Sequence, residues 1–326
     1  MQLFSWLHKW MTGRPQTRRT PARKPTPRFR PQLEVLEDRC VPSTLKVTNV
    51  GNGPGSLPYE IAQAQSNYTI VFDFGNKKAN STPHTIQLFG GNELYISGKN
   101  LTIQGPGAGL LTITSGPYIK PSRIFELHAA TINLSGLTIS NGGGRATASA
   151  DYSYLDGYGG AILVDVAAEV TISGCILSGN WGGYGGAIYN RGGLTLSNCT
   201  LSGNSAVYGG GICNAGASGL TVSGCTVSGN TAADDGGGIY NAGSLLVSGS
   251  TLSGNSAIDF LGQGGGIYNL GAATVSACTL SGNSTEYGGG GIVNYGRLIV
   301  SNSQFSGNTP DNLLGPYTDG GGNIFN

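Results

Sequence analysis

The chain has 326 residues, of which 57 are glycine, only 11% are charged and 38% are hydrophobic. That balance excludes a disordered charge-rich polymer, and the glycines lack the strict third-residue period of collagen. The net charge of +1 conceals an asymmetry: residues 1–40 hold nine of the 18 Lys and Arg but three of the 17 acids, leaving a basic head and a mildly acidic body. Nucleic-acid binding needs basic residues clustered on a folded face, which the body does not offer, so no nucleic-acid partner is expected. No apolar run of about 18 residues exists, so no transmembrane helix is expected.

Residues 1–43 read as a basic, Pro-rich, disordered arm. Its start, MQLFSWLHKWMTGRPQTRR, is interrupted by Ser5, His8 and Lys9 and lacks the unbroken apolar core of a standard signal peptide. Arg18 and Arg19 likewise lack the apolar stretch of a twin-arginine signal. Within the arm, QLEVLEDRCVPS at residues 32–43 resembles the LE-x-LE-x-R head motif of large exported bacterial surface proteins. Residues 44–74 are expected to hold the N-terminal cap and the first strands. There Ser56 suits a helix cap, Pro58 a first turn, and Leu57, Ile61 and Ala64 share one face, which predicts a short amphipathic capping helix. A stack of strands has an open edge and an exposed apolar end, and a helix ahead of it covers both.

The stack itself is expected over residues 75–326, with regular repeats from about residue 159. Before that point TIVFDF, HTIQLFG, ELYISG, NLTIQG, LLTITSG, RIFELHA and TINLSGLTIS are short alternating runs broken by Gly, Asn or Pro, which is strand chemistry. Beyond it GG(A/G)IYN, LTVS and CTLSGN recur. The Asn closing each SGN falls at Asn180, Asn204, Asn230, Asn255, Asn283 and Asn308, a period of 24 to 28 residues that lies in the solenoid range. Three short runs ending in turn residues give three strands and three corners per coil. Stacked coils pair equivalent strands in parallel about 4.8 Å apart, and parallel crossovers are right-handed. The predicted fold is all-β: a right-handed, single-stranded parallel β-helix, or solenoid, with three short strands per 24–28-residue coil and a short N-terminal capping helix.

Stacking in register places like residues in columns. Ile162, Ile188, Ile212, Ile239, Ile267 and Ile292 form one core column; Leu177, Leu201, Val227, Leu252, Leu280 and Phe305 form another. Asn190, Asn214, Asn241, Asn269 and Asn294 make a corner column beside that of the SGN asparagines. Inward amides there are expected to donate to carbonyls of the next coil, with the asparagine backbone itself left-handed. Cys175, Cys199, Cys225 and Cys278 share an inward position with Ser250 and Ser303. They read as small buried thiols, with the choice between thiol and disulfide left open. No CxxC or His-bearing ligand spacing occurs, so no metal site is expected.

Between each SGN and the next GG lies the part of the period that changes length: 142–158, 181–184, 205–208, 231–235, 256–263, 284–287 and 309–319. Such segments project from one edge of a solenoid, often its binding face. They carry acids, among them Asp151, Asp156, Asp234, Asp235, Asp259 and Glu286, and aromatics, among them Trp181, Tyr184, Tyr208, Phe260 and Tyr287. Aromatic faces beside carboxylates suit sugar rings or glycans bridged by Ca²⁺. The alternative is plain solvated loops, with Tyr158, Tyr184, Tyr208 and Tyr287, each ahead of a glycine run, forming a stacked structural ladder.

The GGGIYN and CTxSGN repeats, the leader VTNVGNGPGSL and the run KNLTIQGPGAGLLTI resemble bacterial surface and secreted proteins of the pectin-lyase-like β-helix superfamily, most nearly polymorphic outer-membrane protein repeats. The resemblance implies an extracellular or cell-surface location and an adhesin-like or glycan-binding scaffold, with polysaccharide or cell-surface glycans as partners. Its enzymes would cleave acidic polysaccharide, but the N-x-D and G-H-G elements of polygalacturonases are missing and no His follows His128. Asp234-Asp235 is the adjacent acidic pair of the regular coils, and Arg191 and Arg297 are their cations. The expected protein is therefore non-catalytic and needs no cofactor, with a polysaccharide lyase or glycoside hydrolase as one alternative and an inert spacer as the other. Because GGGNIFN stops halfway through a coil, end-to-end self-association through the last coil is a further expectation.

Overall fold

In the computed structural model, residues 43–89, 93–116, 122–144, 157–216, 219–259 and 261–326 are described. The expected disordered arm, with its LE-x-LE-x-R segment, lies outside the described residues. All described residues belong to one unit, Pro42–Asn326.

Successive short runs of one coil enter different sheets. Ile188–Asn190 joins a nine-stranded sheet, Gly193–Ser197 an eleven-stranded sheet and Thr200–Ser202 a ten-stranded sheet, counted among the described residues. Every neighbouring pair is parallel, and the register is one coil: Ile188 pairs with Ile212, Leu194 with Leu220 and Leu201 with Val227. This is the right-handed parallel β-helix that the repeats predict. Both predicted core columns are continuous, and Ile239, Ile267, Leu252 and Leu280 are wholly buried with their neighbours above and below. Burying each such aliphatic side chain contributes roughly 1.5–3 kcal/mol.

The capping helix spans Leu57–Gln63. Ser56 Oγ accepts the Tyr59 N–H at 3.4 Å, and Leu57, Ile61 and Ala64 are all buried. At the other end Lys99 Nζ donates to the carbonyls of Ile61 and Ala64, so a cation satisfies the negative end of the helix. A second short helix, Lys77–Asn80, was not signalled by apolar periodicity; Asn76 caps it by accepting the Ala79 N–H. Among the described residues no helix is long and apolar enough to cross a membrane.

Two sequence expectations need correction. The first concerns the SGN corners. The left-handed residue is the glycine, with φ of 61° at Gly203 and 60° at Gly229, and not the asparagine. Asn204 Nδ2 donates to Leu177 O of the preceding coil at 3.0 Å and to Asn230 Oδ1 of the following coil at 2.8 Å. Its own Oδ1 accepts from the backbone N–H and the Nδ2 of Asn180. The second concerns the segments after SGN, which do not all project. Their first residues form a fourth, five-stranded parallel ladder from Trp181–Tyr184 through Ser205–Tyr208, Thr231–Ala232 and Ser256–Ala257 to Ser284–Thr285.

The cysteine column is made of free, buried thiols, as is Cys213 on the nine-stranded sheet. Each column thiol donates to a carbonyl two residues earlier, as Cys225 Sγ does to Ser223 O at 3.3 Å. Burial pushes the Cys175 thiol up to about 11 and that of Cys213 to about 12. Thiols raised in this way are inert packing groups, whereas hydrogen bonding with Cys199 draws the Cys225 thiol below its ordinary value.

Candidate functional site

The strand Ile239–Asn241 shows how the site is built. Alternation turns Ile239 and Asn241 inward, both wholly buried, and leaves Tyr240 half-buried on the outer face. The same triplet recurs one coil away, so Tyr240 pairs with Tyr268. The short fourth ladder runs alongside and adds a second row, in which Tyr158, Tyr184 and Tyr208 occupy equivalent places.

The two rows join into one band. Tyr158 and Tyr184 stack at 5.4 Å between ring centroids, and Tyr184 and Tyr208 at 5.3 Å. Tyr208 meets the edge of Tyr240 at 5.6 Å, Tyr240 stacks on Tyr268 at 5.4 Å, and Tyr268 meets Tyr295 at 5.8 Å. Tyr189 closes against Tyr158 at 4.6 Å. Tyr295 is 60% exposed and its hydroxyl donates to Gln263 Oε1 at 2.8 Å. Ring spacing follows from the distance of about 4.8 Å between parallel strands, which is close to the preferred separation of offset-stacked aromatics.

Of the residues singled out from sequence, Tyr184, Tyr208, Asp234 and Asp235 come together. Asp234 N donates to Val207 O at 2.9 Å, beside Tyr208, and interaction with the Asp234 carboxylate, then burial, pushes the Tyr208 phenol up to about 12. Asp235 Oδ1 accepts the backbone N–H of Gln263 at 3.0 Å. Burial first, and then the charge of Asp234, push the Asp235 carboxyl up to about 6. The phenols of Tyr240 and Tyr268 are raised by burial and then by neighbouring charges that include Asp235. Gly236 follows at φ 71°, where a Cβ would stand 2.7 Å from Ile239 O, so the turn that sets Asp235 requires glycine.

Trp181 lies apart from the stack, half-buried in the wall of an open apolar groove of about 390 Å³ shared with Ala206, Val207 and Ala233. Asp259, Glu286 and Tyr287 are exposed on later turns of the same edge. Asp151, Asp156 and Phe260 lie outside the described residues. Tyr189, Tyr240, Tyr268, Tyr295 and Gln263 were missed from sequence. The repeated Tyr at the middle of Ile-Tyr-Asn was the available signal for three of them, because a strand of alternating burial turns that position outward. Among the described residues no three His, Cys, Asp or Glu side chains gather closely enough to hold a metal ion.

A charged cluster occupies the N-terminal end of the nine-stranded sheet. Arg123, almost wholly buried, reaches Glu126 at 2.9 Å and Glu93 at 3.6 Å. His128 lies 2.7 Å from both Glu126 Oε1 and Asp165 Oδ2, and Arg191 lies 3.2 Å from Asp165 Oδ1. Burial pushes the Glu126 carboxyl up, but hydrogen bonding with Glu93 and His128 and the charge of Arg123 leave it below the usual range. With both ring nitrogens engaged by carboxylates, His128 offers no free base to a substrate.

A protein-family model described as "right handed beta helix region" matches residues 135–309. No curated protein and no solved structure matches the chain. The matched span covers more than half of the sequence and coincides with the coils that carry the tyrosine band, and the chain belongs to the right-handed β-helix family.

Proposed function

We propose that this β-helix is a non-catalytic, extracellular or surface-associated scaffold that binds carbohydrate along its tyrosine band. The carrying observation is the run of ring contacts from Tyr158 to Tyr295 across consecutive coils, flanked by Asp234 and Asp235. The outer edges and hydroxyls of these stacked, half-buried rings, with the more exposed Tyr158 and Tyr295 at the two ends, offer surface for sugar rings to cover, and adjacent carboxylates accept hydrogen bonds from sugar hydroxyls. The export-like LE-x-LE-x-R segment supports the location. The engagement of His128 by Glu126 and Asp165 supports a binding role over a polysaccharide lyase or hydrolase.

The test is retention on immobilised glycans by the wild-type protein and by the double variant Tyr240→Ala, Tyr268→Ala. Two rings contributing about 0.5–1.5 kcal/mol each predict at least about a fivefold weaker affinity in the variant, with an unchanged circular dichroism spectrum. Absence of retention on every glycan, or equal retention by both proteins, rejects carbohydrate binding. Release of unsaturated or reducing sugars from any polysaccharide would show an enzyme instead.

A further inference from the structure

We propose that the ligand is an amine-bearing polysaccharide, a chain of cationic amino sugars laid along the stacking axis and read by Asp234 and Asp235. This deepens the carbohydrate-binding proposal and rests on it. The first ground is the geometry of the band. Tyr208 on the fourth ladder and Tyr240 and Tyr268 on the nine-stranded sheet come from successive coils and meet ring to ring, so one ring follows another along one direction at the strand spacing. An extended chain meets ring after ring along such a surface, whereas a compact ligand would use one.

The second ground is charge. From residue 192 to residue 296 the chain holds Asp234, Asp235, Asp259 and Glu286 and no Lys, Arg or His. The ion pairs among the described residues join positions from Lys46 to Arg191, and none of them includes these four acids. Arg191 is itself turned to Asp165, and Arg297 belongs to a strand of the eleven-stranded sheet rather than to the tyrosine-bearing one. Among the described residues the central coils of the band therefore present carboxylates without a cation of their own; Arg145, in the edge segment before Tyr158, lies outside the described residues.

The third ground is placement. Asp234 N donates to Val207 O and Asp235 O accepts from Gly209 N, each at 2.9 Å, and the Asp235 carboxylate is fixed by the Gln263 N–H, so both residues are held against the turn that carries Tyr208 and not on a distant loop. An ammonium group laid against the outer edge of these rings gains charge-assisted hydrogen bonds to the carboxylates. A uronate chain meets repulsion at the same positions. A neutral chain gains ring contact and hydroxyl hydrogen bonds without charge pairing.

The test compares three oligosaccharides of equal length by calorimetry: a glucosamine oligomer with its amines protonated, its N-acetylated counterpart and an oligogalacturonate. The expected order is amine, then acetylated, then uronate, with the amine at least tenfold tighter than the acetylated form at low salt. The gap should narrow as salt is raised, because exposed charges are screened over about 10 Å at 0.1 M. The variant Asp234→Asn, Asp235→Asn should lose the amine preference, its affinity for the amine oligomer falling by a larger factor than its affinity for the acetylated one. Equal binding of the amine and acetylated forms, a preference for uronate, or a preference that survives the double substitution overturns the amine reading and leaves carbohydrate binding standing. No binding of any of the three overturns the amine reading, while carbohydrate binding as such is decided by retention on the immobilised glycans.

Discussion

Asn230 shows how much one side chain holds in this fold. Its Nδ2 donates to Leu201 O at 3.0 Å and to Asn255 Oδ1 at 2.9 Å, and its Oδ1 accepts from Asn204 N and Asn204 Nδ2. Every donor and acceptor of the amide is used, in a site with no exposure to water. Asn230→Ala would strand the Asn204 backbone N–H, one Asn204 amide hydrogen and the Leu201 carbonyl. With buried unpaired groups costing about 1–3 kcal/mol each, a loss on the order of 3 kcal/mol or more in unfolding free energy is expected. Urea titration checks it, and a loss under about 1 kcal/mol would show that the ladder does not act as a unit. Asn190 heads the other column, where Val164 stands in the coil before, and its Oδ1 has no donor. The column positions were legible in sequence because asparagine recurs at one phase of the period. The hydrogen-bond directions were not, since a repeated letter does not reveal which neighbour donates, nor that the preceding glycine takes the left-handed backbone.

The fourth ladder is the element that sequence patterning hid. Its later strands, Thr231–Ala232, Ser256–Ala257 and Ser284–Thr285, are two residues long, too short for an alternation to show, so variable length alone marked them as loops. Strand Ile239–Asn241 was legible as an element, yet its outward Tyr240 was not connected with Tyr208, because the two rows meet only once the chain turns at Asp234 and Asp235. That turn has a pH signature. Asp235 stands at about 6 in the folded protein against an ordinary 3.8, so the folded state favours the protonated carboxyl. The contribution to stability is fully present below 3.8 and is lost as pH rises through about 6. Because the side chain is only partly buried, the effect is discounted to on the order of 1 kcal/mol. Asp73 and Glu126 shift downward and act in the opposite sense, so the difference between wild type and Asp235→Asn isolates this group. Wild type should lose stability relative to the variant across that window, and parallel pH profiles would count against a perturbed Asp235.

Across the whole coil stack each turn touches chiefly its neighbours, so stability should be a sum of coil and interface contributions. That makes the molecule divisible at one phase only. Removing residues 231–255 joins Asn230 to Ser256, which already occupies the position paired with Thr231; Ala206 then meets Ala257, Ile212 meets Ile267, and Asn230 meets Asn283. The shortened chain should fold with an unchanged circular dichroism shape and a denaturant slope lower by about a tenth, in proportion to surface buried. Removing residues 231–242 instead sends the following run into the wrong sheet and should prevent folding beyond that point. The same deletion bears on recognition, because residues 231–255 carry Asp234, Asp235 and Tyr240 while Tyr184, Tyr208, Tyr268 and Tyr295 remain. A stack shortened by this one coil should still retain neutral glycan through the surviving rings and should lose its preference for amines. If the full-coil deletion unfolds as readily as the half-coil deletion, register is not what carries the fold, and the band of tyrosines loses its basis as well.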